Sequence, residues 1–151
     1  MSAAIDSAAR VGDAIPELVA EPNTVQLFQF SAATSNAHRI HYDAGYAREQ
    51  EGYPDVLVQS HLHGCLLLCA VRRAAGPQAR LERFGWQNRG IAVPGDRLTC
   101  SGQVSAVERD GGLLRAHYEL EERNQRGELC ARAWATVAHR ATPEGRVDGQ
   151  A

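Results

Sequence analysis

The chain has 151 residues, 44% of them hydrophobic and 23% charged, which suits one soluble domain with its own core and excludes disorder, collagen or coiled coil as the main architecture. Its net charge of −2 supplies no basic field for nucleic acid, and all 16 basic residues are arginine, which removes a lysine Schiff base, a pyridoxal-phosphate anchor and a P-loop lysine. No apolar run approaches the ~18 residues of a membrane span, Met1 to Asp13 lack the pattern of a secretory signal, and four cysteines without a C-x-x-C pair read as reduced thiols in the cytoplasm.

Residues 1–10 and 141–151 have the composition of flexible tails, leaving one domain over 11–140. Asn23 or Thr24 is placed to cap a short helix through Ala33, and Asp43 another through Glu49. Val58 to Ala75 reads as a long helix, apolar nearly all round and therefore buried, ending at Arg72-Arg73 and stopped by Gly76-Pro77. Arg80 to Ala92 reads as a strand running to the turn Pro94-Gly95-Asp96. From Leu98 to Ala106, apolar or small residues alternate with polar ones, the period of a strand with one buried face. Asp110-Gly111-Gly112 signals a hairpin, Leu114 to Glu121 alternates again, and Asn124 to Gly127 turns the chain into a last strand, Leu129 to Ala138, with both faces covered. The pattern is α+β, an antiparallel sheet curled around a central helix.

The densest polar cluster is Ser35-Asn36-Ala37-His38-Arg39-Ile40-His41-Tyr42-Asp43, between two predicted helices. Two histidines, an amide, an arginine and a carboxylate suit acid–base work, since histidine is the side chain best poised to move protons near pH 7. The bland alternative is a solvated loop in which Asp43 caps a helix. His61, Cys65 and Cys69 share one helix face, but such ligands span ~12 Å and cannot meet at one ion, so the cysteines read as core packing. His38 and His41 lack a third ligand with suitable spacing, so no metal is expected. His117 falls on a polar strand face, and Trp86 and Trp134 read as core or interface. No Gly-x-Ser-x-Gly elbow and no Gly-x-Gly-x-x-Gly occurs.

Asn36-x-His38-Arg39-Ile40-His41-Tyr42-Asp43, with Tyr46-Ala47 and Glu51-Gly52-Tyr53-Pro54 after it, resembles the MaoC-like hot-dog enoyl-CoA hydratases and dehydratases. Within them it is most similar to the branch that hydrates short branched or dicarboxylic enoyl-CoA thioesters, such as 3-methylfumaryl-CoA or mesaconyl-CoA. The resemblance runs from about Val11 to Val137 and includes the Pro94-Gly95-Asp96 turn and the Arg72-Arg73 pair. It implies a hot-dog fold and reversible hydration of a 2-enoyl-CoA. The family's catalytic histidine falls on His41. Its aspartate falls on Asn36, which orients but cannot ionise, and its asparagine falls on His38, a second candidate proton carrier. The oxyanion step at the start of the central helix falls on Gln59-Ser60, with His61 where a proline is common; a competing register places that step at His63-Gly64. Arg39, or else Arg89, is the expected contact for phosphate or acyl carboxylate. Phe28, Phe30 and Leu57 are expected to shape the acyl pocket.

The resemblance implies no metal and no redox cofactor, coenzyme A being part of the substrate. It also implies a homodimer or higher homo-oligomer, or pairing with a second hot-dog subunit. An acyl-CoA thioesterase on the same fold and a non-catalytic partner subunit are the rival readings.

Overall fold

The structure is a computed structural model describing residues 9–110 and 112–140. A short strand β1 (Leu18–Ala20) leads into helix α1 (Thr24–Ala33). A 3-10 turn (Arg39–His41), helix α2 (Ala44–Glu49) and the long helix α3 (Ser60–Ala75) follow. Four strands complete the chain: β2 (Arg80–Asn88), β3 (Leu98–Asp110), β4 (Leu113–Arg123) and β5 (Leu129–Arg140). They join β1 in one antiparallel sheet of order β1-β3-β4-β5-β2.

Local chemistry sets the element ends. The Asn23 side chain accepts from the Gln26 N–H while Gln26 Oε1 accepts from the Asn23 N–H, so a reciprocal capping box starts α1. Asp43 Oδ1 accepts from the Tyr46 N–H and starts α2. Asp96 Oδ2 accepts from the Val93 N–H and closes the Pro94-Gly95 turn. The strand expected over Arg80 to Ala92 pairs only as far as Asn88, because Arg89 and Gly90 turn in and donate their backbone N–H groups to the Cys130 carbonyl. Gly90 is required there, since a Cβ would stand 2.7 Å from the Leu129 carbonyl oxygen.

The core lies between α3 and one face of the sheet. Leu67, Ala70, Val71 and Ala74 of α3 pack on Leu114, Ala116, Tyr118 and Leu120 of β4 and on Ala131, Ala133, Ala135 and Val137 of β5. Trp86 of β2 lies against the helix at Gly64, where a Cβ would come within 2.7 Å of the indole.

Three expectations need correction. Cys65 and Cys69 are exposed rather than core, because the sheet covers one side of α3 and leaves the face bearing His61, Cys65 and Cys69 open in this chain. Strand β5 is not apolar on both faces: Arg132 and Trp134 are exposed, Trp134 to 53%, and β5 is interior to the sheet, the open edges being β1 and β2. Residues 1–8 and 141–151 of the expected tails lie outside the described residues, but Ala9, also assigned to a tail, is buried in the core. No described helix is long and apolar enough to cross a membrane.

Candidate active site

The polar loop after α1 is folded tightly by its own hydrogen bonds. The Asn36 N–H donates to the Ser31 carbonyl at 2.9 Å, and Ser35 takes a positive φ of 54° to make that turn. Asn36 Oδ1 accepts from the His38 N–H at 3.2 Å, an Asx turn. Tyr42 closes the loop by donating its hydroxyl to the Ala37 carbonyl at 2.8 Å. The extended segment before α3 zips onto this loop: the Leu57 N–H donates to the Ile40 carbonyl at 2.8 Å.

That same segment fixes His41. The side chain is 8% exposed, and its Nδ1 lies 2.8 Å from the Leu57 carbonyl oxygen. A carbonyl only accepts, so Nδ1 carries the proton and neutral His41 is left with a lone pair on Nε2. Burial pushes the imidazole below the ordinary histidine range, against the pull of the Leu57 carbonyl, and nearby His38 adds to the lowering.

A cleft of about 490 Å³ opens beside this ring. Its lining includes Asn36, Ile40, His41 and Tyr53, Ser60 and His61 of α3, Asn88 at the end of β2 and Arg89 just past it. Ser60 is the first residue of α3, and the first intrahelical bonds run from the Leu62 and His63 N–H groups to the Gln59 carbonyl. The Ser60 and His61 N–H groups therefore have no partner within the helix and stand at its positive end. The Ser60 hydroxyl donates to Asn88 Oδ1 at 3.2 Å and accepts from Trp86 Nε1 at 3.3 Å, tying the helix start to β2. No aspartate or glutamate lines the cleft.

The structure thus brings Asn36, His41, Ser60 and the alternative arginine Arg89 to one cleft and leaves Gln59, His38 and Arg39 out of its lining. Gln59 is fully buried, and its amide donates to the Leu27 carbonyl and to Ser31 Oγ, so its side chain anchors α3 to α1. His38 does not line the cleft, its ring centroid standing 6.0 Å from that of His41. Arg39 is likewise outside the cleft lining: its guanidinium pairs with Asp43 at 2.6 Å and lies 4.4 Å from the Tyr46 ring centroid. The alternative step His63-Gly64 lies inside α3, where the His63 N–H is already bonded to Gln59. Leu57 does line the cleft, but Phe28 is 61% exposed and Phe30 lines a separate apolar groove between α1 and α3.

His61 and Asn88 have no assigned role in the sequence reading. The signal for His61 is a histidine in the first turn of the helix that carries the expected oxyanion step; nothing local marks Asn88, which a long-range strand brings to the cleft. Among the described residues no group of three or more His, Cys, Asp or Glu side chains is placed to hold a metal ion.

Comparison with known proteins identifies the family and the fold. Residues 6–94, more than half of the chain, match the family hydroxyacyl-thioester dehydratase type 2. The mesaconyl-C(4)-CoA hydratase of Chloroflexus aurantiacus is 52% identical over 58 residues, a stretch spanning 38% of this chain and 20% of that relative. R-hydratase PhaJ1 of Pseudomonas aeruginosa superposes with a TM-score of 0.77 at 21% identity, covering 89% of this chain and 84% of that one. A chain of the ChsH1–ChsH2 complex of Mycobacterium tuberculosis does so with a TM-score of 0.75 at 24% identity, covering 87% and 98%. The fold is the hot dog that the resemblance implies, and the chain belongs to the hydroxyacyl-thioester dehydratase type 2 family.

Proposed function

We propose that this chain hydrates a 2-enoyl-CoA thioester reversibly, with His41 as the base. The observation that carries the reading is the His41 ring, bound at Nδ1 by Leu57 and facing the cleft shared with Asn36 and the first turn of α3. The thioester oxygen lies at the unpaired Ser60 and His61 N–H groups, where helix-end dipoles favour the negative charge that develops on it. Water lies between the Asn36 amide and His41 Nε2. As its oxygen bonds to the β-carbon, one proton passes to Nε2 and the electron pair of the double bond moves through the α-carbon to the thioester oxygen. The imidazolium then returns the proton to the α-carbon, so water is added and the base restored. Dehydration is the reverse. The reading calls on no metal and no redox cofactor.

The acyl group is proposed to be short and to carry a second anionic group, as in the Chloroflexus relative's mesaconyl substrate. The support is a cleft with one arginine, two histidines and no acidic side chain. Arg89, which no described carboxylate pairs, takes the anion-binding role in place of Arg39. A second copy, or a second hot-dog subunit, is proposed along the open edge of β2, whose end supplies Asn88 and Arg89. The setting proposed is the cytoplasm.

The test is loss of enoyl absorbance when purified protein meets crotonyl-CoA and a carboxylated short enoyl-CoA, with free thiol followed in parallel. Absorbance loss without thiol release supports the hydratase, and faster loss with the carboxylated thioester supports the substrate class. Thiol release would establish the thioesterase, and no reaction the non-catalytic partner. A sedimentation mass of about 16 kDa alone would contradict pairing.

A further inference from the structure

Helix α3 meets the sheet through a mostly apolar seam that carries a hydrogen-bonded polar pair. On the helix side the inward row is His63, Leu67, Ala70, Val71 and Ala74; on β4 it is Leu114, Ala116, Tyr118, Leu120 and Glu122. His63 and Glu122 are both fully buried, and His63 Nδ1 hydrogen-bonds Glu122 Oε1 across the seam. The other carboxylate oxygen accepts from the Cys100 thiol of β3 at 3.5 Å, so Glu122 itself is held on the sheet.

The apolar contacts of the seam are non-directional and specify position along the helix less sharply than a hydrogen bond does. An imidazole–carboxylate hydrogen bond has one geometry, and a slip of one helical turn, about 5.4 Å, would break it. Its position along α3 matters because the His63 N–H donates to the Gln59 carbonyl at 3.1 Å. His63 therefore closes the turn that begins with the N–H groups of Ser60 and His61, two residues that line the cleft.

We infer that the His63–Glu122 pair is a register lock that fixes where the leading amides of α3 point, which makes both side chains positioning residues for the oxyanion. The inference rests on the hydratase reading for its kinetic consequence and on geometry alone for its structural one. Buried ion-pair-like contacts are often replaceable by apolar residues without loss of stability, whereas removing one partner strands the other. Stability and positioning are thereby separable.

The experiment compares wild type with the double variant His63→Leu/Glu122→Leu and with Glu122→Gln, which keeps an oxygen acceptor for Nδ1–H. Melting temperature, kcat, KM and the amide resonances of Ser60 and His61 are measured. The lock predicts a folded double variant with a melting temperature near wild type, kcat lowered by about tenfold or more, KM within about twofold, and both amide resonances displaced. Glu122→Gln should keep kcat within about threefold and leave the amides in place. A folded double variant with wild-type kcat and undisplaced amides would overturn the lock. So would Glu122→Gln with displaced amides, which decides the matter if the leucine pair does not fold. An inactive wild type would refute the hydratase reading instead, and the amide resonances would still decide the lock.

Discussion

Two histidines divide this molecule into two regions. His41 and His63 are both buried, and each has a hydrogen-bonded Nδ1. The partner of His41 is a backbone carbonyl, which sets the tautomer without adding charge, and its ring borders an open cleft. The partner of His63 is a carboxylate sealed between helix and sheet, with a thiol on its far side. Burial alone marks neither as functional. What separates them is access: the cleft region leaves a nitrogen to meet a substrate, and the seam region locks its imidazole into the packing. On the proposed reading, the first exchanges a proton with a bound molecule and the second holds position.

The comparison breaks most visibly at His41. His41→Ala, with its fold checked by circular dichroism, should lower turnover by about 10²–10⁴-fold, the usual worth of a positioned base. Asn36→Ala should cost less, and Asn36→Asp, nearly isosteric, should leave the chain folded and active. Next in size is Arg89→Ala, expected to raise KM for a carboxylated enoyl thioester about tenfold or more through loss of a charge-assisted hydrogen bond. On the packing side, Gly64→Ala forces a methyl group into the Trp86 ring and should destabilise the fold by about 1–3 kcal/mol, read from denaturant midpoints. The smallest effect belongs to Arg39→Ala. Its guanidinium is exposed and occupied by Asp43, so turnover and KM should stay within about twofold of wild type.

The sheet was legible because period-two alternation survives in Leu98 to Val104 and Leu114 to Glu121, where one face meets α3; past Val104 a register shift turns Ala106, expected on the buried face, outward. The end of β2 was not, since Arg89 and Gly90 leave the ladder through a bond to Cys130, far away in sequence. At the site, the tight local turn from Ser35 to Tyr42 kept His41 and Asn36 together, and sequence proximity showed it. Side-chain direction was hidden. Gln59 and Ser60 are neighbours at the start of α3, but one turns into the contact with α1 and the other into the cleft. The exposure of Cys65 and Cys69 was hidden for a similar reason: cysteine counts as apolar in a pattern, and only the sheet's position decides which helix face it covers.

The pH dependence follows from the lowered His41 value, with a definite sign. Unfolded His41 takes up its proton near pH 6.5, and folded His41 does so only at lower pH. In the window between them the unfolded chain binds more protons, so this group's contribution to stability falls as pH drops through that window and is restored above it. Activity that needs neutral His41 should hold to the same lower pH. The most direct measurement is a ¹⁵N NMR titration of the His41 ring set beside the pH profile of kcat/KM. The account predicts a neutral ring protonated at Nδ1, a midpoint below 6.5, and an acidic limb of kcat/KM that tracks it. A neutral ring protonated at Nε2, or a midpoint above 6.5, would contradict the claim that His41 offers a free base to the cleft.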